Sequence, residues 1–313
     1  MKIMKYISIQ NELKASQVVM GNMRTAAMSP DKLYALIQTA LDNGINFFDH
    51  ADIYGGGKSE EVFGEVLKAH PGLREKMIIQ TKCGIRFTEK GSYYDFSKEH
   101  ILNSVNASLE RLQCGYIDIL LLHRPDTLMV FEEVNEAFNT LFNEGKVKYF
   151  GLSNVNAMQI EMMQKYIDRP LIFNQIQYNP VNSGILSNGF FVNMKNDVHG
   201  IDHDGSLLEY CRLKNITLQA WSILQASWAE GTFLNNPDYQ GLNDCLSRIG
   251  DRYNISKAAV VTAWILRHPA GIQAIAGTTS PEHLTDLCKG ADVELTREEW
   301  YEIYREAIQS NLP

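Results

Sequence analysis

The chain lacks any apolar run that approaches the roughly 18 residues by which a membrane-spanning helix is recognised. Its first residues, MKIMKYISIQNELK, also lack the long apolar stretch of a secretory signal peptide. Basic residues are few as well, since 29 lysines and arginines stand against 37 aspartates and glutamates and leave a net charge of -8. A phosphate backbone requires a basic protein face. These absences therefore argue against nucleic-acid and membrane partners and predict a cytoplasmic protein.

Cysteine is sparse and widely spaced. The five cysteines are Cys83, Cys114, Cys211, Cys245 and Cys288, and no C-x-x-C spacing occurs among them. Zinc sites and dithiol redox motifs need such paired spacing, so the sequence disfavours both. An odd number of scattered cysteines is typical of reduced thiols in a cytosolic protein.

Short apolar runs alternate with amphipathic helical segments along most of the chain. Eight runs predict strands, at residues 17–21, 45–49, 77–82, 117–123, 147–153, 171–177, 216–221 and 272–277. Runs that are apolar throughout are typical of strands covered on both faces, as in a parallel sheet. The helical segments carry start signals, such as Ser29 followed by Pro30. The pattern predicts an α/β protein, a (β/α)8 TIM barrel that forms a single domain over residues 1–313, with a large open α/β sheet as the alternative.

Three segments fall outside this repeat. Residues 6–17 predict a hairpin that closes the floor of the barrel, and residues 296–310 predict an amphipathic helix packed outside it. The irregular stretch 178–204 is long enough to predict a binding loop.

Polar side chains end three consecutive predicted strands. Asp49 ends the second, Lys82 the third and His123 the fourth, while Tyr54 follows Asp49 by five residues. Chemistry in a TIM barrel takes place where strands end and the following loops begin. Each residue alone is most simply interpreted as structural, but the combination on one rim predicts an active site.

These four side chains suit proton transfer to a carbonyl group. A phenol with a pKa of about 10 is a poor acid at neutral pH, and an ammonium beside Tyr54 is expected to lower that pKa. Asp49 would keep the Lys82 ammonium charged, and His123 would orient the carbonyl oxygen. A lyase or isomerase that uses Lys82 as a Schiff-base amine is the weaker alternative, because the same Asp49 opposes a neutral lysine.

The four residues and their surroundings resemble the catalytic tetrad of the aldo-keto reductase superfamily. The resemblance rests on GINFFDHADIYGGGKSEEVFG and RLQCGYIDILLLHRPD and extends over about residues 17–290. It implies a TIM barrel that binds a nicotinamide dinucleotide without a Rossmann fold and reduces aldehydes and ketones to alcohols. Tyr54 would be the acid, Lys82 and Asp49 would tune it, and His123 would orient a small-molecule carbonyl substrate. It also implies a monomer or weak homo-oligomer.

The same resemblance implies NADP(H) as the cofactor, with NAD(H) as an open alternative. On the nicotinamide side it implicates residues after strands five to seven, namely Ser153, Asn154, Gln175, Trp221 and Ser222. On the phosphate side it implicates the segment after strand eight, namely Gly277, Thr278, Thr279, Ser280 and His283. Many family members carry lysine and arginine where this chain has Gly277 and His283, so the preference between NADPH and NADH stays open.

Other features of the sequence receive simpler interpretations. The segment HGIDHDG (199–205) groups histidines with aspartates, but its spacing fits no common zinc pattern, and no metal is predicted. Three glycines at 55–57 predict a tight turn that aims Tyr54 into the barrel mouth. Cys83 is expected to point away from Lys82 because strand side chains alternate. A regulatory nicotinamide-binding protein on the same scaffold, as in potassium-channel-associated members, remains the rival to a carbonyl reductase.

Overall fold

The computed structural model describes residues 4–10, 12–89, 91–190 and 206–310, the side chains of 188–190 excepted. The strands are β1 (Tyr6–Ile9), β2 (Leu13–Ser16), β3 (Val18–Gly21), β4 (Phe47–Asp49), β5 (Ile78–Cys83), β6 (Ile85–Thr88), β7 (Gly91–Tyr94), β8 (Ile117–Leu122), β9 (Val147–Ser153), β10 (Leu171–Gln177), β11 (Thr217–Trp221), β12 (Gln225–Ser227), β13 (Gly231–Thr232) and β14 (Gln273–Ala276). The α-helices are α1 (Pro30–Asp42), α2 (Lys58–Ala69), α3 (Lys98–Leu112), α4 (Phe131–Asn143), α5 (Ala157–Tyr166), α6 (Gly184–Phe190), α7 (Leu207–Leu213), α8 (Gln240–Tyr253), α9 (Lys257–Arg267), α10 (Pro281–Cys288) and α11 (Arg297–Ile308).

Eight of these strands close into a barrel. Going round it, the order is β3, β4, β5, β8, β9, β10, β11 and β14, and β14 pairs with β3 again. Every neighbouring pair is parallel, because helical segments return the chain to the same end of the barrel before the next strand begins. All eight strands predicted from the sequence are barrel strands. The predicted TIM barrel is confirmed, and the open sheet is wrong.

The N-terminal hairpin closes the floor of the barrel, as predicted. Strands β1 and β2 pair antiparallel, with Tyr6 opposite Ser16 and Ile9 opposite Leu13. Ile9 belongs to a buried cluster formed by inward-facing barrel residues such as Phe47. The apolar face of the hairpin thus covers the end of the barrel at which the strands begin.

Strand β5 shows how the barrel separates an inner from an outer layer. Ile78 belongs to the inner cluster, whereas Ile79 and Cys83 belong to the outer cluster between strands and helices. Successive strand residues face opposite sides, so Lys82 points into the barrel. Cys83 points away from it, as predicted, and burial raises the pKa of its thiol well above the ordinary value.

The helix start predicted at Ser29 and Pro30 is confirmed. Ser29 caps α1, and Ser97 caps α3 with its hydroxyl accepting from His100 N. Helix α3 ends at its C-cap, Gln113, which has φ 49° and lies two residues before Gly115. The C-terminal helix α11 packs outside the barrel, as predicted.

Several of the segments that follow barrel strands contain short elements. Antiparallel hairpins form from β6 with β7 and from β12 with β13, and α6 follows β10. Each strand of these hairpins has four residues or fewer, so alternation of apolar and polar residues is too brief to be recognised.

Part of the predicted binding loop lies outside the described residues. This applies to residues 191–205, which include the HGIDHDG segment. Within the described ranges, no three histidine, cysteine, aspartate or glutamate side chains are grouped as a metal site would require. In the same ranges, no helix has the length and apolar character needed to cross a membrane.

Candidate active site

A glycine turn brings Tyr54 to the mouth of the barrel. Gly55, Gly56 and Gly57 have φ values of 59°, 64° and 92°, in the left-handed region that only glycine adopts without strain. A Cβ on Gly55 would lie 2.4 Å from Ala26 Cβ. The prediction of a tight turn here is confirmed, and helix α2 starts directly after it.

Lys82 lies at the centre of the site. Its side chain is fully buried, and its Nζ atom lies 2.8 Å from Asp49 Oδ2, 2.7 Å from His50 O and 3.0 Å from Tyr54 OH. An ammonium has three protons to donate, and these three oxygens accept them all. The structure therefore brings together Asp49, Tyr54 and Lys82, which the sequence placed on one rim.

Lys82 is held in its charged form. Burial alone would lower the pKa of Lys82, but the neighbouring oxygens of Asp49 and Tyr54 outweigh it and raise the pKa above the ordinary value. A Schiff base requires a neutral amine, so this geometry disfavours the lyase or isomerase alternative.

The pKa of Tyr54 differs from the expectation drawn from the sequence. Burial raises the pKa of the phenol above its ordinary value, and Lys82 opposes that rise without reversing it. The expected net lowering by Lys82 is therefore wrong. Tyr54 keeps its proton at neutral pH, and the Lys82 ammonium lies where the phenolate would form.

His123 lies on the other side of Tyr54. The two rings meet edge to face, with their centroids 6.1 Å apart. Burial lowers the pKa of His123 well below its ordinary value, and Lys82 and Arg124 lower it further. His123 is consequently uncharged at neutral pH and can donate one ring N–H bond to a carbonyl oxygen.

The predicted nicotinamide-binding residues lie on, or directly after, the next three strands of the barrel. Asn154 accepts a hydrogen bond from Trp221 Nε1 at 3.1 Å and donates to Ser153 Oγ at 2.8 Å. Gln175 Nε2 donates to Asp49 Oδ1 at 3.1 Å, so its amide group reaches the tetrad. Ser222 has φ 50° and donates to Gln225 Oε1 at 3.0 Å. The five residues thus lie on one side of the barrel mouth, at β9, β10 and β11. These strands follow β8 in the barrel, and His123 of the tetrad lies directly after β8.

The predicted phosphate-binding residues surround the start of α10. Ser280 caps this helix, with Oγ accepting from His283 N at 3.1 Å and donating to Glu282 at 2.7 Å. Thr278 Oγ1 accepts from Ser280 N at 3.1 Å. These residues, with Gly277 and Thr279, follow β14, the barrel neighbour of β11. A Cβ built on Gly277 meets nothing within 4 Å.

Sequence reasoning missed a charged cluster behind the tetrad. Glu60 on α2 is fully buried, accepts from Thr81 Oγ1 at 2.6 Å and pairs with Arg111 at 2.8 Å. Burial, and secondarily Glu60, raise the pKa of nearby Asp52 to about 7. Asp52 and Glu60 both stand in the segment quoted for the family resemblance, but no local signal shows that they become buried.

Two hairpins at the barrel mouth carry exposed aromatic side chains. Phe87 lies on β6, Tyr93 and Tyr94 lie on β7, and Trp228 lies between β12 and β13. The hairpins follow β5 and β11, so they stand at the rim that carries the tetrad. Arg124, next to His123, lies with its guanidinium carbon 5.9 Å from the Trp221 ring centroid.

Comparison with known proteins agrees with this geometry. A family model described as "Aldo/keto reductase family" matches residues 17–306. The chain is 36% identical to the uncharacterized oxidoreductase YcsN of Bacillus subtilis, covering 99% of this chain and 100% of the relative. It is 34% identical to the 6-dehydroglucose reductase of Agrobacterium fabrum, covering 97% of this chain and 98% of that one.

A solved structure shows the same fold. It is an aldo-keto reductase from Klebsiella pneumoniae in complex with NADPH, with a TM-score of 0.75, 22% identity, and coverage of 97% of this chain and 95% of that one. The match over nearly the whole length, together with the barrel and the rim on which Asp49, Tyr54, Lys82 and His123 meet, leads to one conclusion. The chain belongs to the aldo/keto reductase family.

Proposed function

We propose that the protein reduces an aldehyde or ketone to an alcohol with NADPH, and that Tyr54 donates the proton to the carbonyl oxygen. Oxidoreductase activity on carbonyl compounds follows from family membership. The position of the Lys82 ammonium carries the finer proposal, because it lies 2.8 Å from Asp49 Oδ2 and 3.0 Å from Tyr54 OH. A fixed positive charge at this place stabilises the phenolate that remains after Tyr54 has given up its proton.

Different side chains hold the substrate and protonate it. His123, uncharged because it is buried, donates one hydrogen bond to the carbonyl oxygen and orients it toward Tyr54. Tyr54 OH then transfers its proton to this oxygen. Asp49 keeps Lys82 charged throughout. The hydride that the carbonyl carbon receives would come from NADPH when it is bound.

The residues on β9 to β11 and at α10 fit a nicotinamide dinucleotide. Trp221 is partly exposed and offers an aromatic face for stacking on the nicotinamide ring. Asn154 and Ser153 would hold the carboxamide. The start of α10 favours an anion through its backbone N–H groups, and the open space beside Gly277 leaves room for one. The NADPH complex of the Klebsiella structure supports the choice of cofactor.

The relative from Agrobacterium fabrum guides the choice of substrates to test. That relative is a 6-dehydroglucose reductase, so carbonyl derivatives of sugars belong in the panel beside aliphatic and aromatic aldehydes. NADPH oxidation followed by absorbance gives turnover for each compound. Turnover with any of them, absent without enzyme, is the expected result.

The variant Tyr54→Phe tests the proton donor. It keeps the ring and removes the acidic proton, so we expect reduction to fall by at least about 100-fold while NADPH affinity stays close to wild type. The matched control is Tyr178→Phe, which removes the hydroxyl of a fully buried tyrosine whose oxygen has no hydrogen-bond partner among the described residues. The control should keep wild-type turnover.

Two outcomes would contradict the proposal in different ways. Near-normal turnover by Tyr54→Phe would exclude this residue as the acid. Tight NADPH binding by the wild type without turnover of any carbonyl compound would favour the regulatory nicotinamide-binding alternative.

A further inference from the structure

Four glutamine side chains form a continuous hydrogen-bonded chain inside the barrel, beneath Asp49. They are Gln80 on β5, Gln175 on β10, Gln219 on β11 and Gln273 on β14, and none is more than 3% exposed. A buried polar group is costly unless it is hydrogen-bonded, so four such groups in one barrel need an explanation.

The contacts link the floor of the barrel to the tetrad. Gln273 Nε2 donates to Ser16 O at 2.9 Å, and Gln219 Nε2 donates to Gln273 Oε1 at 2.9 Å. Gln219 Oε1 then accepts from Gln80 Nε2 at 2.9 Å and from Gln175 Nε2 at 3.1 Å. The same two nitrogens also donate to Asp49 Oδ1, at 2.6 Å and 3.1 Å respectively.

The direction of every bond in this chain follows from its first member. A backbone carbonyl accepts hydrogen bonds and cannot donate them, so Gln273 must turn its NH2 group toward Ser16. Its oxygen then faces Gln219, which must donate to it and must turn its own oxygen toward Gln80 and Gln175. Those two residues consequently turn their NH2 groups toward Asp49 as well. A flipped amide at any position would bring two acceptors together.

We propose that Gln219, supported by Gln273, is a positioning residue that makes Gln80 and Gln175 donate to Asp49 and so holds this carboxylate against Lys82. The inference rests on the proposed function, in which Lys82 and Asp49 act on Tyr54. Asp49 Oδ1 accepts both amides, while Oδ2 accepts from Lys82 at 2.8 Å. All three contacts are donations to the carboxylate, so the glutamine chain and Lys82 together fix its orientation.

The glutamine chain can affect Tyr54 only through Asp49. The charged or titratable groups that face Tyr54 are Lys82 from β5, Asp49 from β4, Asp52 from the preceding loop and the ring of His123 from the end of β8. Of these, Asp49 is the one hydrogen-bonded to glutamines. Two donors on Oδ1 draw negative charge away from the side that faces Lys82 and Tyr54. Loosening them should strengthen the field of Asp49 at the phenol, which raises the pKa of Tyr54.

The experiment compares Gln219→Leu with Gln219→Glu. The leucine variant removes both the acceptor and the donor. We expect kcat/KM to fall about 10-fold, and the alkaline limb of the pH profile for reduction to move up by about half to one pH unit, equivalent to that change in the pKa of Tyr54. The glutamate variant, while its carboxyl is protonated, offers one acceptor and one donor in the same place. It should approach wild-type activity near about pH 6 and lose it as this carboxyl ionises beside Asp49.

The matched control is Gln164→Leu. Gln164 makes three hydrogen bonds to backbone groups, at Ile167, Arg169 and Leu171, and none to the glutamine chain. Its loss should lower the thermal midpoint without moving the pH profile. An unchanged pH profile in Gln219→Leu, with no larger loss of activity than in the control, would overturn the proposal.

A measurement without turnover separates this inference from the proposed function. The tyrosinate absorbance of each Gln219 variant, minus that of the same variant carrying Tyr54→Phe, reports the titration of Tyr54 alone. An upward shift in Gln219→Leu supports the glutamine chain even if no carbonyl substrate is found. No shift overturns it, whatever the activity assays show.

Discussion

Asp52 provides a prediction whose size can be worked out from the structure. Its Oδ1 atom is buried and has no hydrogen-bond partner among the described residues. Burial and, to a smaller extent, the nearby Glu60 raise the pKa of Asp52 from 3.8 to about 7, although Arg111 and Lys82 act in the opposite direction. The fold therefore disfavours the ionised form of this carboxyl.

The sign of the effect on stability follows from the two pKa values. In the unfolded chain Asp52 loses its proton near pH 3.8, but in the folded chain it keeps the proton until about pH 7. Between these values the unfolded state is stabilised by ionisation and the folded state is not. The free energy of unfolding must fall through this window as the pH rises and then stay level. A gap of about three pH units corresponds to at most about 4 kcal/mol, at about 1.4 kcal/mol per unit.

The variant Asp52→Asn removes this dependence because its amide does not ionise. Relative to wild type, its free energy of unfolding should increase steadily from about pH 4 to about pH 7, by up to about 4 kcal/mol, and stay constant above. Urea denaturation at several pH values measures the difference directly.

The comparison variant Asp95→Asn should behave in the opposite way. Burial alone would raise the pKa of Asp95, but hydrogen bonds from Ser97 and Arg86 outweigh it and lower the pKa to about 2. Asp95 therefore contributes stability above pH 3.8 that is lost as the pH falls toward 2, so its variant should be less stable than wild type at neutral pH. A constant stability difference between Asp52→Asn and wild type from pH 5 to 8 would refute the reasoning about burial.

Further predictions concern the tetrad and the cofactor. Lys82→Met should abolish reduction and destabilise the fold by about 3–5 kcal/mol, because Asp49 is left buried without its partner. Adding Asp49→Asn to it should restore stability in denaturation experiments but not turnover. Gly277→Lys should tighten NADPH binding about 10-fold relative to NADH, since a charge-assisted contact contributes about 1.5–3 kcal/mol; Gly115→Lys, also in open space, is the control in fluorescence titrations.

The location of the tetrad could be predicted because it depends on a simple rule. Asp49 is the last residue of β4, Lys82 is the last but one of β5, and His123 directly follows β8. Parallel strand ends meet at one rim. Tyr54 joins them because three glycines turn the chain back, and glycines are visible in the sequence. No long-range information was needed for any of these steps.

The sequence indicates the glutamine chain only in part. Gln80 stands two residues before Lys82, and Gln219 two before Trp221, so alternation alone puts each on the inner face of its strand. Their pairing could not be foreseen, because 139 residues separate Gln80 from Gln219 and the match depends on the stagger of strands on opposite sides of the barrel.

The sequence by itself determined the order of the barrel strands, the rim on which the polar side chains meet, and the family to which they point. Local rules govern all of these, namely alternation along a strand, helix capping and the freedom of glycine. The tertiary structure alone decided the electrostatics of the site. Lys82 alone would lower the pKa of Tyr54, as its position in the sequence predicts. Burial outweighs this effect, and the pKa rises. Desolvation depends on how many atoms from distant segments close over a group, and no stretch of sequence around Tyr54 or Asp52 records that number.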